Sequence, residues 1–236
     1  GFGGALLLQA LLCGWFSCLV RRRLAPSVAA SPSHDGSQAW PAAEVVLCLR
    51  GVDPALEQAL AALAVQRYSG PWRLLLVLDS RHDPAWALAE ASLERLQASG
   101  GATWQAARLT ALAAPPRRGS RKSAALHQAF GELAPATELV ALVDADAVVR
   151  PDWLQNLAMA CRRPGVGAGG GNRWYLPAHS SGPGMVRAIW NGGALVLMTL
   201  LAIPWGGSLA IQRRLIETSG WRQQLCTSLC EDTALF

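Results

Sequence analysis

Asp144 and Asp146 stand one residue apart at the end of the apolar run in "ELVALVDADAVVRPDWL", residues 138–154. Only 16% of this chain is charged, so a doubled acid directly behind a greasy run is a candidate site. If the run is a strand that carries through Asp146, both carboxylates leave the same face, because successive side chains alternate. Two hard oxygen donors can hold a magnesium or manganese ion and leave positions for substrate phosphates. Such an ion offsets the charge that builds on a diphosphate leaving group. Taken alone, the pair better suits a turn or the cap of the next helix. Its companion in the pattern is another acid at the end of an apolar run, Asp79 after "WRLLLVL".

The elements that must position these acids alternate regularly. "EVVLCLRG" (44–51), "WRLLLVLDS" (72–80) and "ELVALVDAD" (138–146) read as short buried strands, with a weaker one near 103–109. Helices fall between and after them. "DPALEQALAALAVQRY" (53–68) and "DPAWALAEASLERLQ" (83–97) both open on Asp-Pro, a helix start. "KSAALHQAFGEL" (122–133) and "RPDWLQNLAMACRR" (150–163) complete the set. Strands alternating with helices of this length predict a parallel sheet with right-handed crossovers. Ligands of such sheets bind beyond the carboxyl ends of the strands, where Asp79, Asp144 and Asp146 all fall. The apolar stretch 185–207 is interrupted by Asn191, two glycines and Pro204, which favours an interfacial or buried helix over a span.

The 236 residues are 51% hydrophobic, include 10 tryptophans and carry a net charge of +5. That excludes a disordered chain. The arginines are scattered in clusters, which suits an anionic membrane surface or a phosphorylated ligand and argues against nucleic acid as a partner. Six cysteines without a C-x-x-C pair read as reduced structural thiols, with Cys13 and Cys18 open to lipidation. Residues 1–24 hold an apolar run followed by Arg21–Arg23, which predicts a transmembrane anchor that leaves the rest of the chain on the cytosolic face. Residues 25–43 are small, polar and proline-bearing, a linker. Residues 44–236 form the remaining domain, and the absence of an initiator Met with the stop at Phe236 leads us to expect a piece of a longer protein.

The order "EVVLCLRGVDPAL…LLLVLDS", "GSRKSAAL", "LVDADAVVRPDWL", "WGGSLAIQRR" and "LCEDTAL" resembles the family 2 glycosyltransferases across residues 44–236, and most closely the membrane-bound branch that includes ceramide glucosyltransferase and its bacterial relatives. The resemblance implies a GT-A, Rossmann-like α/β fold with a mostly parallel sheet flanked by helices. It implies a metal-dependent transfer of a sugar from a nucleotide-diphosphate donor, a UDP-sugar, to a hydroxyl of a lipid or glycan acceptor at the membrane. Asp79 then matches the acid that contacts the base, and Lys122 a basic residue near the donor. Asp144 and Asp146 match the acids that bind Mg2+ or Mn2+ and the diphosphate. Trp205, Gly206, Gly207 and Ser208 match the segment lining the acceptor side. Asp232, with Glu231 before it, matches the catalytic base of an inverting displacement. By composition alone, Glu231–Asp232 equally suits a helix N-terminus favoured by the dipole, and Lys122 equally suits a solvated helix start. Cys48 stands where that family often has proline. The Q-x-x-R-W segment that follows the acidic pair in the membrane-bound branch does not occur. A processive polysaccharide synthase and a non-catalytic nucleotide-binding membrane module are the rival readings. A nucleotidyltransferase would need a glycine-rich loop where this chain has "RGVDPAL".

Gly165, Gly167 and Gly170 satisfy G-x-G-x-x-G, but they follow a helix and run into strand-like "NRWYLP", the wrong context for a dinucleotide site. Close backbone packing is the better reading. "GSRKS" lacks the glycines that shape a phosphate loop. The four histidines have no metal-ligand spacing.

Overall fold

The computed structural model describes residues 39–99, 103–171, 181–200 and 203–235, together with Gly4, Leu11, Gly14, Trp15 and Cys18. The chain divides into two units, residues 1–39 and 40–236. In the first, Gly4, Leu11, Gly14, Trp15 and Cys18 are helical and exposed. Most of the span expected over 1–24, most of the linker expected over 25–43, and the strand-like 172–177 lie outside the described residues. Among the described residues, no helix is long and apolar enough to cross a membrane.

The second unit is built on a six-stranded mixed sheet. Its strands are β1 (Ala43–Leu49), β2 (Trp72–Leu78), β3 (Trp104–Ala111), β4 (Leu139–Val143), β5 (Ala168–Gly170) and β6 (Ser208–Gln212), in the order β3-β2-β1-β4-β6-β5. The first four are parallel, and β6 runs antiparallel to β4 and to β5. The inner parallel strands β1, β2 and β4 are mostly apolar on both faces, as strands covered on both sides must be; β3, at the sheet edge, exposes Gln105 and Arg108. Val45, Leu47 and Leu49 of β1 alternate with Val46, and Leu74, Leu76 and Leu78 of β2 alternate with Leu75 and Val77.

One face is covered by α1 (Leu56–Ala64), α2 (Trp86–Ser99) and α4 (Trp153–Cys161) through Leu56, Leu60, Leu63, Leu93, Leu96, Leu154 and Leu157. The other is covered by α3 (Arg121–Gly131), through Leu126, Ala129 and Phe130, and by the short α6 (Arg213–Thr218) and α7 (Trp221–Gln224), through Ile216 and Trp221. Phe130 and Trp221 pack ring to ring at 5.1 Å between centroids. The fifth and longest of these helices, α5 (Gly182–Leu200), buries Leu195 but exposes Met185, Val186, Ile189 and Trp190, the last 80% accessible. It is a regular helix where the interrupted pattern predicted an interfacial or buried one, and its apolar stripe is outward.

Two differences from the sequence pattern matter for the site. Strand β4 ends at Val143, so Asp144 and Asp146 are not strand residues. They lie in a turn closed by the Ala147 amide donating to the Asp144 carbonyl at 3.1 Å. Strand β6, unmarked by any strong pattern, pairs Ser208 with Val143. Being antiparallel, it begins at the edge where β4 ends, and so brings Trp205–Gly207 to the carboxyl edge of the parallel strands. The glycine-rich 165–171 forms edge strand β5. A side chain at Gly169 would stand 2.8 Å from Ala160 Cβ, which is the close packing the small residues predicted.

Candidate active site

The carboxyl edge gathers loops from β1, β2 and β4, the start of α3, the turn before β6 and the segment 226–232. Register aligns the first two, because Leu49 pairs with Leu78 and the Asp79 amide donates to the Leu49 carbonyl at 3.2 Å. Arg50 and Asp79 are therefore neighbours, with Arg50 Nε 3.8 Å from Asp79 Oδ2. Arg121, the first residue of α3, places Nη1 2.7 Å from each Asp79 oxygen. Helix α3 begins at Ser120, whose hydroxyl accepts from the Ser123 amide at 3.0 Å, an N-cap.

The next residue, Lys122, binds the other acids. Its ammonium is 2.6 Å from Asp144 Oδ1 and in contact with Glu231 Oε1. Burial works against this ammonium, but the carboxylates of Asp144 and Glu231 outweigh burial and hold it above its ordinary range. Glu231 is buried, 7% accessible, while Asp232 is half-buried. The Gly206 amide donates to Asp232 Oδ1 at 2.5 Å. Burial raises the Asp232 carboxyl above its ordinary value of 3.8; the charge of Glu231 adds to this, while the Gly206 amide and Lys122 oppose it.

The turn before β6 joins these groups. The Asp144 amide donates to the Gly207 carbonyl at 3.3 Å, and the Ser208 amide to the Trp205 carbonyl at 3.1 Å. A Cβ at Gly206 would run into Asp232 Oδ1, and one at Gly207 into Asp144 Oδ2 and the Trp205 ring. Only glycines permit this approach of backbone to carboxylates. Ser208 is buried and accepts from Trp153 Nε1 at 2.9 Å, so its side chain supports the turn.

Of the residues singled out in the sequence, Lys122, Asp144, Glu231, Asp232, Gly206 and Gly207 converge on one cluster. Asp79 stands at a second cluster, with Arg50 and Arg121. Asp146 is exposed on the turn beyond Asp144. Three residues escaped the sequence pattern. Arg50 and Arg121 were visible only as neighbours of a strand end and of Lys122. Asp83 reads as a helix start, and its Oδ1 does accept from the Ala85 amide at 2.9 Å. Its carboxylate also accepts from the Gly51 amide, at 3.0 and 3.1 Å, and so ties the β2 loop to the β1 loop that carries Arg50. Gly51 takes a φ of 69°, a left-handed turn that suits glycine. Cys48 lies beneath Lys122, Glu231 and Asp144, its thiol pushed up to about 12 by burial. The described cysteines, Cys18, Cys48, Cys161, Cys226 and Cys230, are free.

Among the described residues, no group of three or more His, Cys, Asp or Glu side chains is placed to hold a metal by itself. Asp144 and Asp146 supply two hard carboxylates in one turn, a donor set that fits a divalent ion completed by substrate oxygens. The Lys122 ammonium between Asp144 and Glu231 marks where this cluster accommodates positive charge.

The mannosyltransferase of Pyrobaculum calidifontis, solved with GDP-mannose and Mn2+, is similar to this chain at 22% identity and a TM-score of 0.54, over 92% of this chain and 57% of that one. TarS 1-349 of S. aureus is similar at 11% identity and a TM-score of 0.52, over 80% of this chain and 52% of that one. This chain thus spans little more than half the length of either, and the likeness is one of fold: the mixed α/β sheet with flanking helices of the GT-A nucleotide-sugar transferases. No curated protein sequence matches it. The profile described as glycosyl transferase family 21 matches residues 5–170, well over half of the sequence and the whole of strands β1 to β5. The chain therefore belongs to glycosyl transferase family 21.

Proposed function

We propose that this protein is a metal-dependent, inverting glycosyltransferase that moves a sugar from a UDP-sugar to a hydroxyl of a lipid-like acceptor, with its catalytic domain at the cytosolic face of a membrane. The observation that carries the reading is the joining of Asp144, Lys122, Glu231 and Asp232 around the Gly206–Gly207 turn. Acids from two distant parts of the chain meet there, one beside the metal turn and one beyond it.

Asp144 and Asp146 would hold Mg2+ or Mn2+, with Lys122 beside them as a further positive charge for the diphosphate. The ion, when bound, stabilises negative charge on the departing nucleoside diphosphate. Lys122 engages Glu231, whereas Asp232 is held by a backbone amide. This division favours Asp232 as the base. It takes the proton of the acceptor hydroxyl while that oxygen bonds to the anomeric carbon and the bond from carbon to the diphosphate oxygen breaks. A carboxyl raised by burial is a better proton acceptor at neutral pH than an ordinary one. The lipid-like acceptor and the membrane face are supported by the outward stripe of Met185, Val186, Ile189 and Trp190 on α5.

The test is a donor screen in lipid or detergent with Mn2+, reading release of the nucleoside diphosphate. Turnover with a UDP-sugar that falls about a hundredfold or more in Asp144→Ala with Asp146→Ala supports the proposal. Absence of binding and turnover with every nucleotide sugar sinks it.

A further inference from the structure

The loop that carries Asp144 and Asp146 runs over residues 144–152, from the end of β4 to the start of α4. Its first residue is fixed inside the site, by the Asp144 amide on the Gly207 carbonyl. Its other end is fixed by a residue that the chemistry above does not use. Gln66 comes just after α1 and is half-buried. Its Nε2 donates to the Ala62 carbonyl at 3.0 Å and to the Arg150 carbonyl at 2.8 Å, and its Oε1 accepts from the Leu154 amide at 3.1 Å. Beside it, the Arg67 amide donates to the Pro151 carbonyl at 2.7 Å.

The partners decide how this side chain stands. Two carbonyls can only accept and a backbone N–H can only donate, so the Gln66 carboxamide has one orientation, with its NH2 and its oxygen all engaged. The Leu154 amide is one of the donors left open at the start of a helix. Asp152, at the N-cap of α4, makes no side-chain cap bond; Arg150 holds its carboxylate instead, at 3.1 and 3.2 Å. Gln66 therefore supplies the cap that α4 lacks, and with the same group it holds the loop at Arg150. Between Arg150 and Ala147, whose amide closes the turn on the Asp144 carbonyl, lie only Val148 and Val149. Asp146 sits inside that turn, so displacing Arg150 displaces it relative to Asp144.

We infer that Gln66 is a positioning residue for the acid turn, setting the separation at which the Asp144 and Asp146 carboxylates meet a divalent ion. The inference rests on the reading of those two acids as metal ligands. Gln66 touches neither acid and acts through the loop. Partners that hold metal ligands in place typically account for about 10–100-fold in metal affinity.

The experiment is calorimetric titration of the full chain with Mn2+ at saturating UDP, for the unaltered protein, Gln66→Met, Gln66→Asn and Gln155→Ala, with melting curves alongside. Methionine keeps the length and removes all three bonds. Asparagine keeps the amide but is one methylene too short to join α1 to the loop, and it carries the test if the methionine variant does not fold. Gln155→Ala breaks the neighbouring bond from the Ser69 amide, at 3.0 Å, which holds α4 and not the loop. Both Gln66 variants should bind Mn2+ about tenfold more weakly, and Gln155→Ala should stay within about threefold of the unaltered protein. Excess Mn2+ should restore turnover to the Gln66 variants. Folded Gln66 variants that melt lower yet bind Mn2+ as before would make Gln66 a helix cap alone and overturn the inference, leaving the proposed function standing. An equal loss of Mn2+ affinity in Gln155→Ala would overturn it in the same way. An unaltered protein that takes up no Mn2+ with UDP overturns the proposed function and this inference together.

Discussion

Replacing Asp232 by asparagine separates two consequences of one carboxylate's surroundings. Burial and the charge of Glu231 raise this carboxyl above 3.8, so the folded protein favours its protonated form. The stabilisation is fully present below 3.8 and is lost as pH rises through the folded value, so at neutral pH the ionised group opposes folding. Asp232→Asn should accordingly raise the melting temperature at pH 7 and not at pH 3.5, while it abolishes transfer. A base must be deprotonated to act, so the acid limb of the rate against pH should lie above the ordinary carboxylate range. Glu231→Gln removes a charge that raises Asp232 and should move that limb to lower pH; an unmoved limb would exclude Asp232 as the group reported. At the turn, Gly207→Ala forces a methyl against Asp144 and Trp205, and should cost about 1–3 kcal/mol in denaturant unfolding. Asp79, Asp144 and Asp146 were legible because strand ends and a doubled acid mark a site, whereas Glu231, Asp232, Gly206 and Gly207 were singled out only by the family resemblance. Their pairings were not legible. Lys122 meets Glu231 across 109 positions of sequence, a pairing no local pattern encodes.

At the level of elements, the parallel core was legible because β1, β2 and β4 are mostly apolar and two of its helices carry Asp-Pro starts. Strand β6 was not. "SLAIQ" is only five residues long, is preceded by an interrupted apolar stretch, and reverses direction against β4. The doubled acid was assigned to the right edge by the wrong geometry: strand alternation was expected, and a turn supplies the placement instead. The loops at this edge are held by side chains that read as ordinary caps. Asp83→Ala leaves the Gly51 and Ala85 amides without their carboxylate, and should cost about 1–3 kcal/mol and loosen the β1 loop, seen as faster amide exchange at Gly51. Gly119 has a φ of 82°, and a Cβ there would sit 2.7 Å from the Ser228 carbonyl. Gly119→Ala should therefore separate the loop before α3 from the segment that leads to Glu231, lowering activity more than its effect on melting would suggest.

For the molecule as a whole, the sheet with helices on both faces explains why the site gathers at one edge: every parallel strand ends there, and β6 starts there. The charge of +5 and the outward stripe on α5 concern what the molecule meets rather than the chemistry of that edge. If α5 lies against lipid, Ile189→Asp with Trp190→Ala should weaken sedimentation with anionic vesicles by about tenfold, and a soluble short-chain acceptor should still be used at the unaltered rate. Loss of rate on the soluble acceptor would place α5 in the catalytic machinery instead. Composition made the apolar character of 185–207 legible, but not which way the stripe faces, since that depends on what the rest of the fold leaves uncovered.

Lys122 gives Asp144 a tethered counter-ion. A free divalent ion arriving at Asp144 competes with an ammonium that is covalently present at high local concentration and never diffuses away. Metal alone should consequently bind weakly, and metal together with UDP far more tightly, because the diphosphate offers Lys122 a new anion as it gives up the old one. Titration of Mn2+ with and without UDP measures this coupling directly. Under the proposed function the lysine would act as a threshold: traces of divalent ions would not displace it, and ion and nucleotide would load as a unit.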